Sequence, residues 1–342
     1  MKDKGLVPDP DIYAVNESFV PDDWKSETTS IASSLYRGYY ENGRRYQTLR
    51  EESYVPSDDQ QFEAYEAGHI TALTMDSHRD NPLFRSPVGG KDLKHVLDIG
   101  TGKGSWVVDV ADLFPTATVR GVDLFPPPIK WMPPNCVLEV DDILQPWTWQ
   151  QPFDLIHMRF LDAAFTPEEN AQLYQQCYDN LRPGGWIEQL ELSHKFHSED
   201  NSWPEQCHLK DWERLMMTAA AKSRRPLDLY HRFPSLIKQS GFVDVHVEEV
   251  KWPVGPWPRD KQLKEAGSVN QAHWLTGMEG YSMYLFTKFG SPTSWSKEEV
   301  HVHLARVRKE LTDPRYHLYH TVKRVWARKP MPDEVIIKIE DK

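Results

Sequence analysis

The chain is poor in cysteine, in net positive charge and in long apolar runs. Its three cysteines, Cys136, Cys177 and Cys207, form no Cys-x-x-Cys pair. No disulfide framework is therefore expected, and a reducing compartment is. Lys and Arg number 40 against 51 Asp and Glu, a formal charge of −11. That balance argues against nucleic-acid binding, which rests on cations neutralising phosphates; the local cluster Lys222-Ser-Arg-Arg225 reads as a helix end. No stretch reaches the roughly 18 apolar residues of a membrane span. The N-terminal MKDKGLVPDPDIY lacks the apolar core of a signal peptide, so a cytoplasmic location, with the nucleus open to it, is expected. Histidines such as His301, His303, His317 and His320 have no Cys or carboxylate partner at a metal-ligand spacing, and no metal is expected. There is no internal repeat. What is abundant is aromatic: 13 Trp, 14 Tyr and 13 Phe supply a core although only 39% of residues are apolar.

Taken in order, residues 1–30 are rich in Pro, Asp and Ser without periodicity and read as a mobile arm. Residues 31–90 read as a mostly helical extension or lid: a helix over Ile31–Tyr40, the compact polar segment Glu41-Asn-Gly-Arg-Arg-Tyr46, then a helix opened by a capping box at Ser57-Asp-Asp-Gln60 with Phe62, Tyr65 and Leu73 on one face. Residues 91–330 form the main domain, and 331–342 a tail. From 94 to 194 strands and helices alternate, the signature of a parallel sheet with crossover helices. Strands are expected at His95–Ile99, Ala117–Asp123, Cys136–Asp142, Pro152–Phe160 and Trp186–Leu192. Thr166-Pro-Glu-Glu169 caps the helix before Leu181. Ser202-Trp-Pro-Glu205 reads as the cap of a helix burying Trp212, Leu215, Met216 and Ala219. A short helix over Pro234–Ser240 and a strand over Phe242–Trp252 follow. A helical insertion over 260–312 holds an aromatic stripe at 268–288, expected as core more than as lid, and a helix capped by Ser296-Lys-Glu-Glu299. A last strand spans His317–Ala327.

The stretch HVLDIGTGKGSW, from His95 to Trp106, sets the chemistry. An apolar strand runs into glycines at 100, 102 and 104, and a helix starts at once. Glycine permits left-handed turns and lets backbone approach a ligand, and the helix start offers free N–H groups. The spacing is Asp-x-Gly-x-Gly-x-Gly, unlike the Gly-x-Gly-x-x-Gly of dinucleotide enzymes. Asp98 would repel a pyrophosphate and suits a cationic amino group, such as that of the methionine part of S-adenosylmethionine. Asp123, ending the second strand, is placed to accept from both hydroxyls of a ribose. Asp141 and Asp142 end the third strand at the same crevice, beyond the carboxyl ends of the strands, where a carboxylate can accept from an adenine amino group. His157 ends the fourth strand beside them and is the candidate base. A histidine satisfied by packing is an equal alternative. Arg159 suits a carboxylate, and His194 and His197 are further rim positions.

In order and spacing, DIGTGKG, the GVD ending at Asp123, the VDD ending at Asp142, FDLIHMR and LRPGGWIE resemble class I S-adenosylmethionine-dependent methyltransferases. ENGRRY and YHTVKRVWARKP narrow the resemblance to the fungal LaeA-like group, which includes secondary-metabolite tailoring enzymes and regulators that assemble with velvet-type proteins. The resemblance implies an α/β, Rossmann-like sheet of seven strands with helices on both faces, whose last strand is antiparallel and lies between the fifth and sixth. It implies that Gly100 and Gly102 pack on the methionine moiety, that Asp98 organises the loop near its amino group, that Asp123 holds the ribose, that Asp141 or Asp142 binds adenine with Ile143 on the ring, and that Thr101 and Leu124 are among the cofactor-binding residues. His157 and Met158 would stand beside the sulfonium, and Tyr46 would close the cleft.

Two functions follow. One is methyl transfer to a small-molecule acceptor, a secondary metabolite. The other is a regulatory role within a protein complex, as a homo- or heterodimer, for which the polar arm and helical extension supply surface. A dinucleotide oxidoreductase is a third reading, disfavoured by Asp98 and the glycine spacing.

Overall fold

The computed structural model describes residues 37–50, 52–88, 93–128 and 131–334. The expected arm at 1–30 and most of the tail lie outside them. The described chain opens with a hairpin, β1 (Tyr39–Glu41) and β2 (Arg44–Tyr46). Its turn is Asn42 and Gly43, with φ of 53° and 85°, the left-handed pair that a two-residue hairpin requires. Tyr39 stacks on Tyr46 across it, ring centroids 5.3 Å apart. The expected helix over Ile31–Tyr40 thus gives way to a strand at its described end, because the Asn-Gly turn folds Tyr39 and Tyr40 back onto Arg45 and Tyr46.

Helix α1 (Asp59–Asp76) follows. Asp58, not Ser57, caps it: its carboxylate accepts from the backbone N of Gln61 at 3.0 Å and from two nitrogens of Arg44 at 2.7 Å each. Arg44 comes from the hairpin, so a tertiary ion pair selects the cap. The helix buries residues around much of its circumference, since it packs along α6 (Lys261–Phe289) and also meets the helix that follows the glycine turn. Small residues allow that approach: a β-carbon on Gly277 would stand 3.1 Å from Ala64 Cβ, and one on Gly280 would strike the Gln61 side chain.

The sheet comprises β3 (His95–Ile99), β4 (Thr118–Asp123), β5 (Cys136–Val140), β6 (Phe153–Arg159), β7 (Leu181–His197), β8 (Val243–Val254) and β9 (Leu318–Arg328). Their order is β5-β4-β3-β6-β7-β9-β8. β9 runs antiparallel between β7 and β8, and the remaining pairings are parallel. Among the described residues, helices α2 (Ser105–Leu113), α3 (Pro167–Asn180), α4 (His208–Lys222), α5 (Leu229–Gln239) and α7 (Lys297–Leu311) join α1 and α6. The expected α/β sheet of seven strands with an antiparallel last strand is therefore present. Thr166 and Ser296 both form the capping boxes read from the sequence. Among the described residues no helix is long and apolar enough to cross a membrane.

Three of the boundaries that differ from the expected ones have a tertiary reason. β7 starts at Leu181 instead of Trp186, because Leu181 already pairs with Phe153 and the glycine turn is absorbed as an irregularity in the ladder. α4 starts at His208, and Ser202 to Glu205 cap nothing. The carboxylate of Glu310, on α7, accepts from the backbone N of His208 and Leu209 at 3.0 and 2.8 Å and serves as the cap from another helix. α5 begins at Leu229, ahead of Pro234. Proline removes the bond to the carbonyl four residues back, and that carbonyl, of Tyr230, accepts from Lys323 at 3.3 Å instead.

The aromatic stripe is core and cleft wall together. Trp274, Met278 and Phe286 of α6 are buried with Trp212 of α4, Leu192 of β7 and Tyr54 of the N-terminal segment, while Tyr281 also faces the cleft described next.

Candidate active site

The carboxyl ends of β3, β4, β5, β6 and β7 open on one cavity of about 190 Å³, far beyond the roughly 10–15 Å³ that a single water needs. Its near wall is the glycine turn. Asp98 is 4% exposed. It sits in register with His157 on the adjacent strand, so both side chains leave the same face, and His157 Nδ1 lies 2.8 Å from Asp98 Oδ1. Trp106, from the first turn of α2, stacks on the imidazole with centroids 3.8 Å apart and planes 4° from parallel. Burial lowers the His157 pKa below the usual histidine range. His157 is thus held by a carboxylate and by a ring face.

Asp123 ends β4. Its Oδ2 accepts from Gly102 N at 2.8 Å and its Oδ1 from Phe125 N at 3.2 Å. These bonds tie the glycine turn to the second strand. Burial pushes the Asp123 carboxyl up to about 6, against the lowering effect of its backbone donors. Gly100, Thr101, Leu124, Asp141, Asp142 and Ile143 line the same cavity. Asp141 is exposed and its Oδ1 accepts from Asp142 N at 2.8 Å. Asp142 is half-buried beside Arg50, 3.7 Å away.

Two expected residues are elsewhere. Met158 alternates to the opposite face of β6 and is buried with Ile156 and Ile187 in the core. Tyr46 is 1% exposed and packs between Tyr39 and Tyr284. The segment after it covers the cleft instead, with Gln47, Arg50, Val55 and Pro56 among the lining residues. Arg50 pairs with Glu52 and Glu169, and Arg225 with the same two carboxylates, which straps this segment to the start of α3. Arg225 therefore belongs to a buried ion-pair group and is no surface patch. His197 is exposed and does not line the cavity, whereas His194 does.

Further groups face the cleft that no motif in the sequence marks. Glu66 of α1 accepts from the Ser105 hydroxyl. His69 binds Asp109 at 2.8 Å and Arg159 at 3.1 Å. Burial brings the Arg159 guanidinium down to about 10. Asp162 and Glu191 line the same cavity. The sequence signal for Glu191 is a charged residue inside the apolar strand WIEQLEL. Glu66 and His69 carry none, because only the packing of α1 over the sheet brings them to the cleft.

Residues 96–185 match the family model described as a methyltransferase domain. The chain is 33% identical over 310 residues to methyltransferase pytC of Aspergillus terreus, covering 90% of this chain and 93% of that protein. The chain belongs to the LaeA-like methyltransferases. It is also 30% identical to the secondary metabolism regulator LAE1 of Cochliobolus heterostrophus, over 85% of this chain and 95% of that one. Among solved structures, phosphoethanolamine N-methyltransferase 2 of Haemonchus contortus, in complex with phosphomonomethylethanolamine and S-adenosylhomocysteine, aligns with 16% identity and a TM-score of 0.44 over 84% of this chain and 62% of that one. As a class I methyltransferase the protein uses S-adenosylmethionine. The dinucleotide reading falls with that.

Proposed function

We propose that this methyltransferase transfers a methyl group to a small-molecule acceptor, and that the cofactor lies along the glycine turn with its reacting carbon toward β6 and β7. The observation that carries this reading is the convergence of Asp98, Asp123 and Asp142 on one cavity, together with backbone that no β-carbon crowds out. Asp98, steadied by His157, would hold the methionine ammonium. Arg159 would hold the methionine carboxylate. Asp123 would accept from the ribose hydroxyls, and Asp142 from the adenine amino group with Ile143 on the ring. His157 serves as a positioning residue here, since Asp98 and Trp106 already occupy it. The cofactor supplies an activated methyl carbon; the protein aligns a nucleophile with it and excludes water. The described residues 47–50 and 52–57 of the extension, with the α1–α6 layer, provide that exclusion.

Calorimetric titration with S-adenosylhomocysteine tests the assignment. Asp123→Ala is expected to weaken binding by about 1–3 kcal/mol, the cost of leaving hydroxyls unpaired; unchanged affinity would contradict it. Because the Asp123 carboxyl is raised to about 6 in the free protein, its ionised, accepting form predominates only above that pH. Affinity should hold between pH 7 and 6.5 and fall roughly tenfold per unit below 6, a slope absent from Asp123→Asn. The cofactor's α-amino group, with an ordinary pKa of about 8, stays protonated through this window.

A second reading is a regulatory methyltransferase working inside a protein complex in the cytoplasm or nucleus. The similarity to a protein named as a secondary metabolism regulator supports it. Affinity purification of the tagged chain from its own cells separates the two: a stoichiometric protein partner favours the regulator, and metabolite turnover by the isolated chain favours the enzyme.

A further inference from the structure

The wall of the cavity also holds a polar group that the assignments above leave unused. Glu191 of β7, His194 three residues on, and Asp162 in the loop after β6 all line it. Glu191 is 0% and Asp162 3% exposed. Each acid is anchored at one oxygen. Asp162 Oδ1 accepts from Leu229 N at 2.8 Å. Glu191 Oε1 accepts from Leu161 N at 3.0 Å and from Gln189 Nε2 at 2.8 Å.

The other oxygens accept no aligned hydrogen bond. His194 Nδ1 stands 3.3 Å from Asp162 Oδ2, yet the pair is not aligned as a hydrogen bond, and Glu191 Oε2 has no partner. Buried polar atoms are ordinarily paired, so Glu191 Oε2, without a hydrogen-bond partner, beside an unaligned His194–Asp162 pair calls for a polar ligand on this wall. Paired catalytic groups are often misaligned before substrate arrives and tighten in the complex. The imidazole is oriented edge-to-face against Trp274 and Tyr281, 6.0 and 6.4 Å between centroids. Burial and the neighbouring Asp162 push the Glu191 carboxyl up to about 8, which makes it a neutral hydrogen-bond donor near pH 7. Phe160, Leu161 and Leu192 add apolar surface to the same cavity.

We propose that this group is the acceptor subsite, that it takes a ring-bearing molecule with a hydroxyl beside a carbonyl, and that His194, oriented by Asp162, removes the hydroxyl proton. Glu191 donates to the carbonyl. The acceptor oxygen forms its bond to the methyl carbon as the carbon–sulfur bond breaks. The electron pair stays on sulfur, which becomes a neutral thioether, and the proton passes to the imidazole nitrogen that does not face Asp162 and then to solvent. The inference rests on the cofactor reading and extends it to a substrate class.

The test uses the full chain with two probes, 2-hydroxyacetophenone and its more acidic 5-nitro derivative, whose phenolate absorbs in the visible. In the presence of S-adenosylhomocysteine the nitro probe should bind as phenolate, and His194→Gln and Asp162→Asn should each raise its bound pKa by about one unit or more while cofactor affinity stays within twofold. In single-turnover transfer from radiolabelled S-adenosylmethionine, both variants should lose about 10²–10⁴-fold on 2-hydroxyacetophenone. The loss on the nitro probe should be at least tenfold smaller, because a hydroxyl that is already ionised needs no base. A merely structural role would slow both probes equally. Equal losses, no loss, or failure of both probes to bind to chain that holds S-adenosylhomocysteine would overturn the subsite alone. Failure of the wild-type chain to bind S-adenosylhomocysteine would overturn the cofactor reading and this inference with it.

Discussion

Gly100→Val is expected to abolish cofactor binding and to lower stability by about 2–5 kcal/mol. Gly100 has φ of +70°, a region that costs an L-residue roughly 1–2 kcal/mol and a β-branched one at the upper end. A β-carbon there would stand 2.6 Å from Leu161 Cδ2, and forcing atoms into a filled site costs about 1–3 kcal/mol more. Leu161 lines the cavity, so relief of the clash moves its side chain further into the space the cofactor needs. Urea unfolding measures the stability change and calorimetry the affinity. S-adenosylhomocysteine bound within threefold of the wild-type affinity would show that the turn does not face the ligand.

Asp98→Ala should have the second largest effect, and through two separable contributions. The first is loss of the charge proposed to hold the methionine ammonium, a bond to a charged group worth about 1.5–3 kcal/mol. The second is exposure of His157, buried and stacked on Trp106, to the cost of an unpaired nitrogen, about 1–3 kcal/mol. Asp98→Asn distinguishes them. It keeps an acceptor 2.8 Å from His157 but removes the charge. Thermal denaturation should place Asn close to wild type and Ala well below it, while calorimetry should find both weak toward S-adenosylhomocysteine. Full affinity in Asp98→Asn would remove the ammonium assignment and leave Asp98 as a partner of His157.

The half of the site built by β3 to β6 was legible because its chemistry is local. Asp98, Gly100, Gly102, Asp123 and Asp142 each lie within three residues of a strand's carboxyl end, and in a parallel sheet such positions share one edge. Register could not be read so easily. Met158 and His157 are neighbours in sequence, and the pleat sends one into the core and the other to the cleft. Tyr46 is one residue from a true lining position, Gln47, and the hairpin that decides the matter depends on Arg44 reaching Asp58.

Caps show the same division. Thr166 and Ser296 lie within three residues of their partners, so the sequence contains the whole motif. The cap of α4 comes from Glu310, about a hundred residues further on, and nothing near His208 announces it. The acceptor subsite is of this second kind: Asp162 lies in the loop after β6, Glu191 and His194 lie on β7, and α6, which orients His194 through Trp274 and Tyr281, is remote from both in sequence.

By itself, the order of apolar strands, glycines and terminal acids determined the α/β class, the edge of the sheet that bears the site and the cationic nucleoside it suits, because strand polarity and turn chemistry act over a few residues. Only the tertiary structure decided which face each side chain presents, what covers the cleft and which carboxylates are left without partners. Those outcomes depend on helices α1 and α6 closing over the sheet, and long-range packing of that kind leaves no periodic trace in the residues that it brings together.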